Sequence, residues 1–514
     1  MVLTDAKTLP EDPIDSAHSL PLIPLPAHVR PAEGHLLLPS LEVEGDPATV
    51  ALMREDLRRL AGTAGPEAAH AAGNVVLALT DDASTGPEGY VLDTRDDGIR
   101  ITARDPAGLY YGTRTLLQLL RRTDEGWSVP RILIEDAPRF AYRGVMLDVA
   151  RHFFSVSEVK AYVDRAVALK FNHLHLHLTD DQGWRIQIDA WPRLTERASA
   201  GDAGEGPGGF FTKDDYRCIV EYAADRHMTI VPEIDLPGHT HAVGVAYPDL
   251  VEEPWITDQV VAEAERLAQP VPAHGEHFSG WAVGHSSLRI GEERTYDFVR
   301  DVLDEVAAMT PGPYLHIGGD ECLGTSPADF AVFMTRATRL VGETGKTPIA
   351  WHEAGAVHDI AEGTVGQYWG SVVPQGSHAE EATRFVTGGG GLILSPSDRT
   401  YLDMKPDAGF PLGLDWAGIV PLRTAYDWEP GDVVPGVAES AILGVEAPLW
   451  TETVESLEDA DALVFPRLTA HAETAWSPRE GADRTWESYL SRLTALAPAL
   501  RASGIDVTLP VDEG

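Results

Sequence analysis

A chain of 514 residues exceeds one small domain; it fits one large barrel with a smaller companion, or three ordinary domains. Hydrophobic residues at 43% and charged residues at 23% supply enough apolar surface for a sizeable core, which excludes a disordered or fibrous protein. Forty basic against 80 acidic side chains leave a formal charge of −40; that field repels nucleic acid and is otherwise read as solubility.

Residues 1–20 are polar and bear prolines, and they are expected to be loosely ordered. They lack a basic stretch followed by an apolar core, so no signal peptide is expected. On that reading the chain is cytoplasmic, or secreted if a leader has been removed. The chain holds no apolar run of the roughly eighteen residues that a membrane span needs. Its two cysteines, Cys218 and Cys322, exclude a disulfide scaffold and leave the compartment open.

Residues 21–140 mix short strand patterns with one clear helix. NVVLAL (74–79), GYVLDT (89–94) and GIRITA (98–103) read as strands, and 106–122 has apolar residues at helical spacing. This describes a small α+β domain without a cluster of chemical groups, ending near Asp136–Arg139.

From 141 to 514 the texture changes to apolar strands alternating with helical stretches. Eight strand candidates occur at 143–149, 173–179, 229–235, 314–319, 347–353, 364–370, 391–397 and 441–450. Residues 155–170 form a helix, with Ser155 as N-cap and Glu158 completing a capping box. Eight strands with helical connectors predict an α/β fold, a (β/α)8 TIM barrel. The Pro- and Gly-rich stretch 251–291 is too long for a tight loop and is expected to be an insertion on the barrel's functional face.

Active sites of such barrels lie at the C-terminal strand ends. Those ends carry Asp148 and Arg151, then Asp180 and Asp181, then Glu233 and Asp235 with His239. Asp320-Glu321, Trp351-His352-Glu353 and Tyr368-Trp369 follow, then Tyr401 and Asp403, and finally Trp450 and Glu452. Tryptophan faces stack on the C–H faces of sugars and carboxylates accept bonds from hydroxyls, so the combination points to carbohydrate.

Gly318-Gly319-Asp320-Glu321 is the sharpest element. Neighbours on a regular strand face opposite ways, so two adjacent carboxylates can meet one ligand only if the strand bends, which the glycines permit. Crowded carboxylates divide into one ionised and one protonated group, as glycoside hydrolysis needs; the plain alternative is burial in ion pairs with arginine. His173, His175 and His177 share one face of their strand. They read as core histidines, with a metal pair as the alternative. His239 lies past its strand's end, where it can tune a carboxylate. Cys322 shows no activating base and is read as packing.

Together RGVMLDVARHFF, HLHLHLTDDQGWRI, PEIDLPGHTHA, LHIGGDE and EAPLWTE resemble the β-N-acetylhexosaminidases of glycoside hydrolase family twenty, over about 143–480. The preceding domain is similar to that family's non-catalytic α+β domain. The resemblance implies an exo-acting, retaining enzyme in which the substrate's own 2-acetamido oxygen is the nucleophile and an oxazolinium ion the intermediate. Glu321 would be the general acid and base. Asp320 would hold the acetamido N–H, and Tyr401 would donate to its oxygen. Trp351, Trp369 and Trp450 would wall the pocket. Arg151 and Glu452 would bind outer hydroxyls, Asp403 another, and Trp416 would line the leaving-group side. Asp180 and His239 would tune Glu321, with Asp235 in support.

On this basis the substrate is a glycan or amino-sugar oligosaccharide. No metal or other cofactor, no nucleic acid and no membrane partner is expected, and the chain is expected to be a monomer. A metal-dependent barrel hydrolase, a non-catalytic sugar-binding barrel and a lacto-N-biosidase-like release of disaccharide stay open as alternatives.

Overall fold

The computed structural model describes residues 20–61, 74–81, 85–204 and 206–509. Of the segment expected to be loosely ordered, 1–19 lie outside the described residues, and Leu20 is buried. The chain forms two compact units.

The first unit is a mixed sheet with helices. Its strands are β1 (His28–Leu38), β2 (Val43–Gly45), β3 (Val75–Leu79), β4 (Tyr90–Asp93), β5 (Ile99–Ala103), β6 (Arg121–Thr123) and β7 (Gly126–Asp136). They run in the order β1-β7-β4-β5-β3-β2, with β6 paired to β7. The helix Pro106–Leu119 starts where Asp105 accepts a hydrogen bond from the Gly108 N–H at 2.8 Å and Pro106 presets the first turn. It buries Leu109, Tyr110, Leu116 and Leu119. At Gly112 an added Cβ would come within 2.5 Å of Ile101 Cγ2, so glycine is what lets the helix sit close on β5.

This unit also takes in Ser477–Ser503, including the helix Trp486–Ala502. The sequence pattern carries the barrel through to 514, whereas the structure groups Ser477–Ser503 with the first sheet. The physical reason for the difference lies in contacts distant in sequence. Ser477 Oγ donates to the Leu25 carbonyl and Arg492 Nη1 to that of Leu22, each at 2.7 Å, while Tyr489, Leu493 and Leu496 are buried.

The second unit is the expected (β/α)8 barrel. Its strands are β8 (Tyr142–Asp148), β9 (His173–His177), β10 (Thr229–Glu233), β11 (Tyr314–His316), β12 (Thr347–Trp351), β13 (Val365–Tyr368), β14 (Leu392–Leu394) and β15 (Ile442–Leu449). Every pairing is parallel, and β15 closes the ring on β8 from Gly444↔Tyr142 to Leu449↔Leu147. All seven residues of β8 are buried, as expected of parallel strands covered on both faces. Helix Val156–Ala168 returns the chain to β9, and its capping box is present: Ser155 accepts from Glu158 N–H while Glu158 accepts from Ser155 N–H at 2.8 Å.

The insertion after β10 is a built element. Val251 and Leu288 pair antiparallel at its base, Thr257 caps a helix Asp258–Leu267, and Val260, Phe278 and Ala282 form a small core of its own. Among the described residues no helix is long and apolar enough to cross a membrane.

Candidate active site

β11 stops at His316, and the next residues turn sharply: Gly318, Gly319 and Glu321 have φ of 65°, 99° and 46°. At Gly318 an added Cβ would fall 1.6 Å from Asp235 Oδ1, so nothing larger fits. Glu321 is a non-glycine residue in the left-handed region, which costs on the order of 1–3 kcal/mol and occurs mostly where function holds it. This turn allows the adjacent Asp320 and Glu321 both to line one cavity of about 410 Å³.

Behind the pair runs a line of buried polar groups. His239 Nε2 lies 3.5 Å from Glu321 Oε2 and 3.7 Å from Asp320 Oδ2. Its Nδ1 is 3.1 Å from Asp180 Oδ1, and Asp180 Oδ2 receives Arg151 Nη2 at 2.8 Å. Burial alone would lower the His239 pKa, but the carboxylates of Asp180, Asp235 and Asp320 more than offset it and hold it well above the usual range. Burial would raise Asp180, yet Arg151 and His239 keep it well below. Burial pushes Asp320 up to about 6, with Glu321 adding to the rise and His239 opposing it. Asp235 accepts the Gly319 N–H at 3.2 Å; burial and then the nearby Asp320 raise its pKa well above the ordinary value.

Arg151, Asp403 and Glu452 line the same cavity together with Trp369, Tyr401 and Trp450, and Arg151 and Asp403 are buried. Trp416, on a loop after β14, lies edge-on to both Trp369 (5.9 Å between centroids) and Tyr401 (5.8 Å). Arg151 lies 4.9 Å from the Trp450 ring centre. Asp320 Oδ1, Glu452 Oε2 and both carboxyl oxygens of Asp403 are buried without a protein group in hydrogen-bonding geometry. Buried polar atoms of this kind are costly unless a ligand meets them.

Of the residues expected from the sequence, Arg151, Asp320, Glu321, Trp369, Tyr401, Asp403, Trp416, Trp450 and Glu452 come together around the cavity. Asp180, Asp235 and His239 are buried behind it. Trp351, expected as a wall, sits one layer deeper: it is fully buried, 6.0 Å from Trp450, and donates its indole N–H to Glu233 at 3.0 Å.

The sequence places Glu233 and Glu353 among the strand-end carboxylates without an individual role, and does not single out His316 or Glu446. Glu233 is the hub beneath the site, hydrogen-bonded to His177 and Trp351 and within 3.0 and 2.9 Å of His175 and His316. Glu446 takes the other side of His175 at 2.9 Å. Glu353 accepts the Trp369 indole N–H at 3.0 Å; burial and then Asp320 hold its pKa well above the usual carboxylate value. The visible signal was a carboxylate inside an apolar strand, at Glu233 and Glu446, facing a strand of alternating histidines.

Within the histidine triple, His173 stacks on Tyr142 at 4.0 Å, while His175 and His177 hydrogen-bond to carboxylates. Donor sets close enough to share a metal ion include His175–Glu233–His316 and His239–Asp320–Glu321. In the first, both histidines already lie within ion-pair distance of the Glu233 carboxylate. Cys322 donates to the Asp320 carbonyl at 3.2 Å, and burial pushes its thiol well above the ordinary range, away from the thiolate that nucleophilic work requires.

The model of the glycosyl hydrolase family 20 catalytic domain matches residues 140–327 and 324–479, and that of the family's domain 2 matches 19–137. A β-N-acetylhexosaminidase of Cellulomonas fimi is 41% identical over 426 residues, covering 82% of this chain and 81% of that protein. A solved glycoside hydrolase family 20 β-N-acetylglucosaminidase superposes with a TM-score of 0.87 at 48% identity, covering 96% of this chain and 99% of the other. A mutant Streptomyces plicatus β-hexosaminidase, solved with its product GlcNAc, gives 0.87 at 42% identity over 98% of both chains. The chain belongs to glycosyl hydrolase family 20 and is a glycoside hydrolase.

Proposed function

We propose that this enzyme is an exo-acting, retaining β-N-acetylhexosaminidase that releases terminal N-acetylglucosamine or N-acetylgalactosamine by substrate-assisted catalysis. The observation that carries the reading is the Asp320-Glu321 turn facing one cavity that Arg151, Asp403 and Glu452 also line, with carboxyl oxygens of Asp320, Asp403 and Glu452 buried and unmatched by protein groups. Arg151 and the unmatched carboxyl groups of Asp403 and Glu452 suit the outer hydroxyls of one terminal sugar, which favours release of one sugar over a disaccharide.

In the first step the acetamido oxygen attacks the anomeric carbon, the glycosidic C–O bond breaks, and Glu321 gives its proton to the departing oxygen. Asp320 accepts the acetamido N–H, and its negative charge stabilises the oxazolinium ring as it forms. Tyr401 donates its O–H to the attacking oxygen, and Trp369 and Trp450 enclose the acetamido group. In the second step Glu321 takes a proton from water, which adds to the anomeric carbon and reopens the ring with the β-configuration retained. His239, backed by Asp180 and Arg151, sets the charge beside both carboxyl groups.

The test compares an aryl β-N-acetylglucosaminide with the matching β-glucoside, which differ only in the acetamido group. Turnover of the first alone is the expected result. Equal turnover would mean that the nucleophile belongs to the protein and would overturn the mechanism.

A further inference from the structure

Four neighbouring barrel strands carry a polar residue at one level. The register pairs Asp148 of β8 with His177 of β9, His177 with Glu233 of β10, and Glu233 with His316 of β11. Branched apolar side chains usually dominate the interior layers of such barrels. Here the row is polar instead, and all four residues are fully buried. Burying such groups is costly unless each is paired, so their pairing is informative.

His177 is the centre of the row. Its Nδ1 hydrogen-bonds to Glu233 Oε2, and its Nε2 to Asp180 Oδ2 at 2.8 Å. A neutral imidazole has one N–H and one lone pair, so it can serve only one of two carboxylates. Both partners are held ionised: Asp180 also faces Arg151 at 2.8 Å, and Glu233 also accepts the Trp351 indole N–H at 3.0 Å. Burial would raise the Glu233 pKa, but His316, His177 and His175 keep it well below the carboxylate range. The ring is therefore an imidazolium. Burial opposes that charge, and Glu233, Asp180 and Asp148 outweigh it, holding the His177 pKa well above the usual range. From here the line reaches the site: Asp180 Oδ1 meets His239 Nδ1, and His239 Nε2 stands beside Glu321 and Asp320. Charge alternates in sign along it.

Resting on the proposed function, we infer that His177 is a positioning residue for the catalytic pair: an imidazolium clamped between Glu233 and Asp180, which fixes the charge on Asp180 and so the charge that His239 presents to Asp320 and Glu321. His177 touches neither carboxyl group of the pair and acts through the groups between. The charged groups facing its ring are Asp148 from β8, Glu233 from β10 and Asp180 beyond its own strand, with the Trp450 ring edge-on at 4.8 Å. Asp320 in turn has His239, Glu321, Asp235, Glu353 and Tyr401 around it. Against that background the His177 charge lowers the Asp320 pKa and the Glu233 charge raises it, so the two ends of one hydrogen bond act on the site with opposite sign.

The experiment is the pH profile of kcat/KM on an aryl β-N-acetylglucosaminide in His177→Gln and in Glu233→Gln. Loss of the cation should move the acidic limb up by on the order of half a pH unit. Loss of Glu233, which leaves Asp180 to hold the imidazolium, should move it down by a similar amount. Structural damage alone lowers a profile without displacing its limb in opposite directions. In either variant, a limb that stays at the wild-type pH or moves the other way overturns the inference. Should neither variant fold, neutron diffraction from wild-type crystals at about pH 8, where an ordinary histidine is neutral, decides. Hydrogen on both His177 nitrogens is the expected result, and hydrogen on one alone overturns the inference. No cleavage of the aryl substrate by the wild type would instead remove the proposed function, and the neutron result would stand apart from it.

Discussion

Asp320 answers two opposed demands. It must be charged to hold a cation, yet its dry surroundings push its pKa up to about 6. Above that value the carboxylate is ionised and stabilises the oxazolinium; as pH falls through it, the proton binds and the stabilisation is lost. The acidic limb of kcat/KM on an aryl N-acetylglucosaminide should therefore fall near pH 6, and a limb below pH 4 would contradict this. Asp320→Asn should cost roughly 3–4 kcal/mol in barrier, the size of one preorganised electrostatic contact, and its profile should lack that limb. A kcat/KM within a few-fold of wild type would remove the role. Most of the cavity's residues were legible because strand-end position and chemistry coincide at Asp320, Tyr401 and Trp450. The individual roles of Glu233 and Glu353 were not, because what defines them is an indole partner on another strand end: Trp351 for one and Trp369 for the other.

The turn after β11 shows how much one short segment decides. Gly318→Ala would drive a methyl into the Asp235 carboxylate at a φ of 65°. It should destabilise the protein by more than about 2 kcal/mol in denaturant unfolding and reduce activity by moving Asp320 and Glu321 together. Wild-type stability in this variant would mean that the turn tolerates a different path. Ser155→Ala, which removes a cap far from the cavity, should cost about 1 kcal/mol of stability and leave kcat/KM as it was. The barrel strands were legible because most are short apolar runs ending in polar residues, while β9 shows as histidine alternating with leucine. β1 escaped notice because Pro31, Gly34 and a bulge between Pro31 and His35 break its alternation. β7 escaped because its apolar residues mark it as a strand only once β1 and β4 are known to flank it.

Across the whole molecule, sequence distance and spatial grouping part company. The helix Trp486–Ala502 follows the barrel in sequence but groups with the first sheet unit, through Arg492 to Leu22 and, ahead of the helix, Ser477 to Leu25, contacts that no local pattern announces. A chain ending at Trp476 should show faster amide exchange in β1 and β7, while β8 and β15 keep their protection. Unchanged exchange in β1 and β7 would show that the helix is dispensable to that unit.

That arrangement also sets an order of completion during synthesis. Strands β1 to β7 leave the ribosome before any barrel strand, and the ring cannot close until β15 has emerged with Trp450 and Glu452 directly behind it. The helix that finishes the first unit emerges after both. A stalled chain released just short of residue 486 holds every barrel strand and lacks the helix that groups with the first sheet unit.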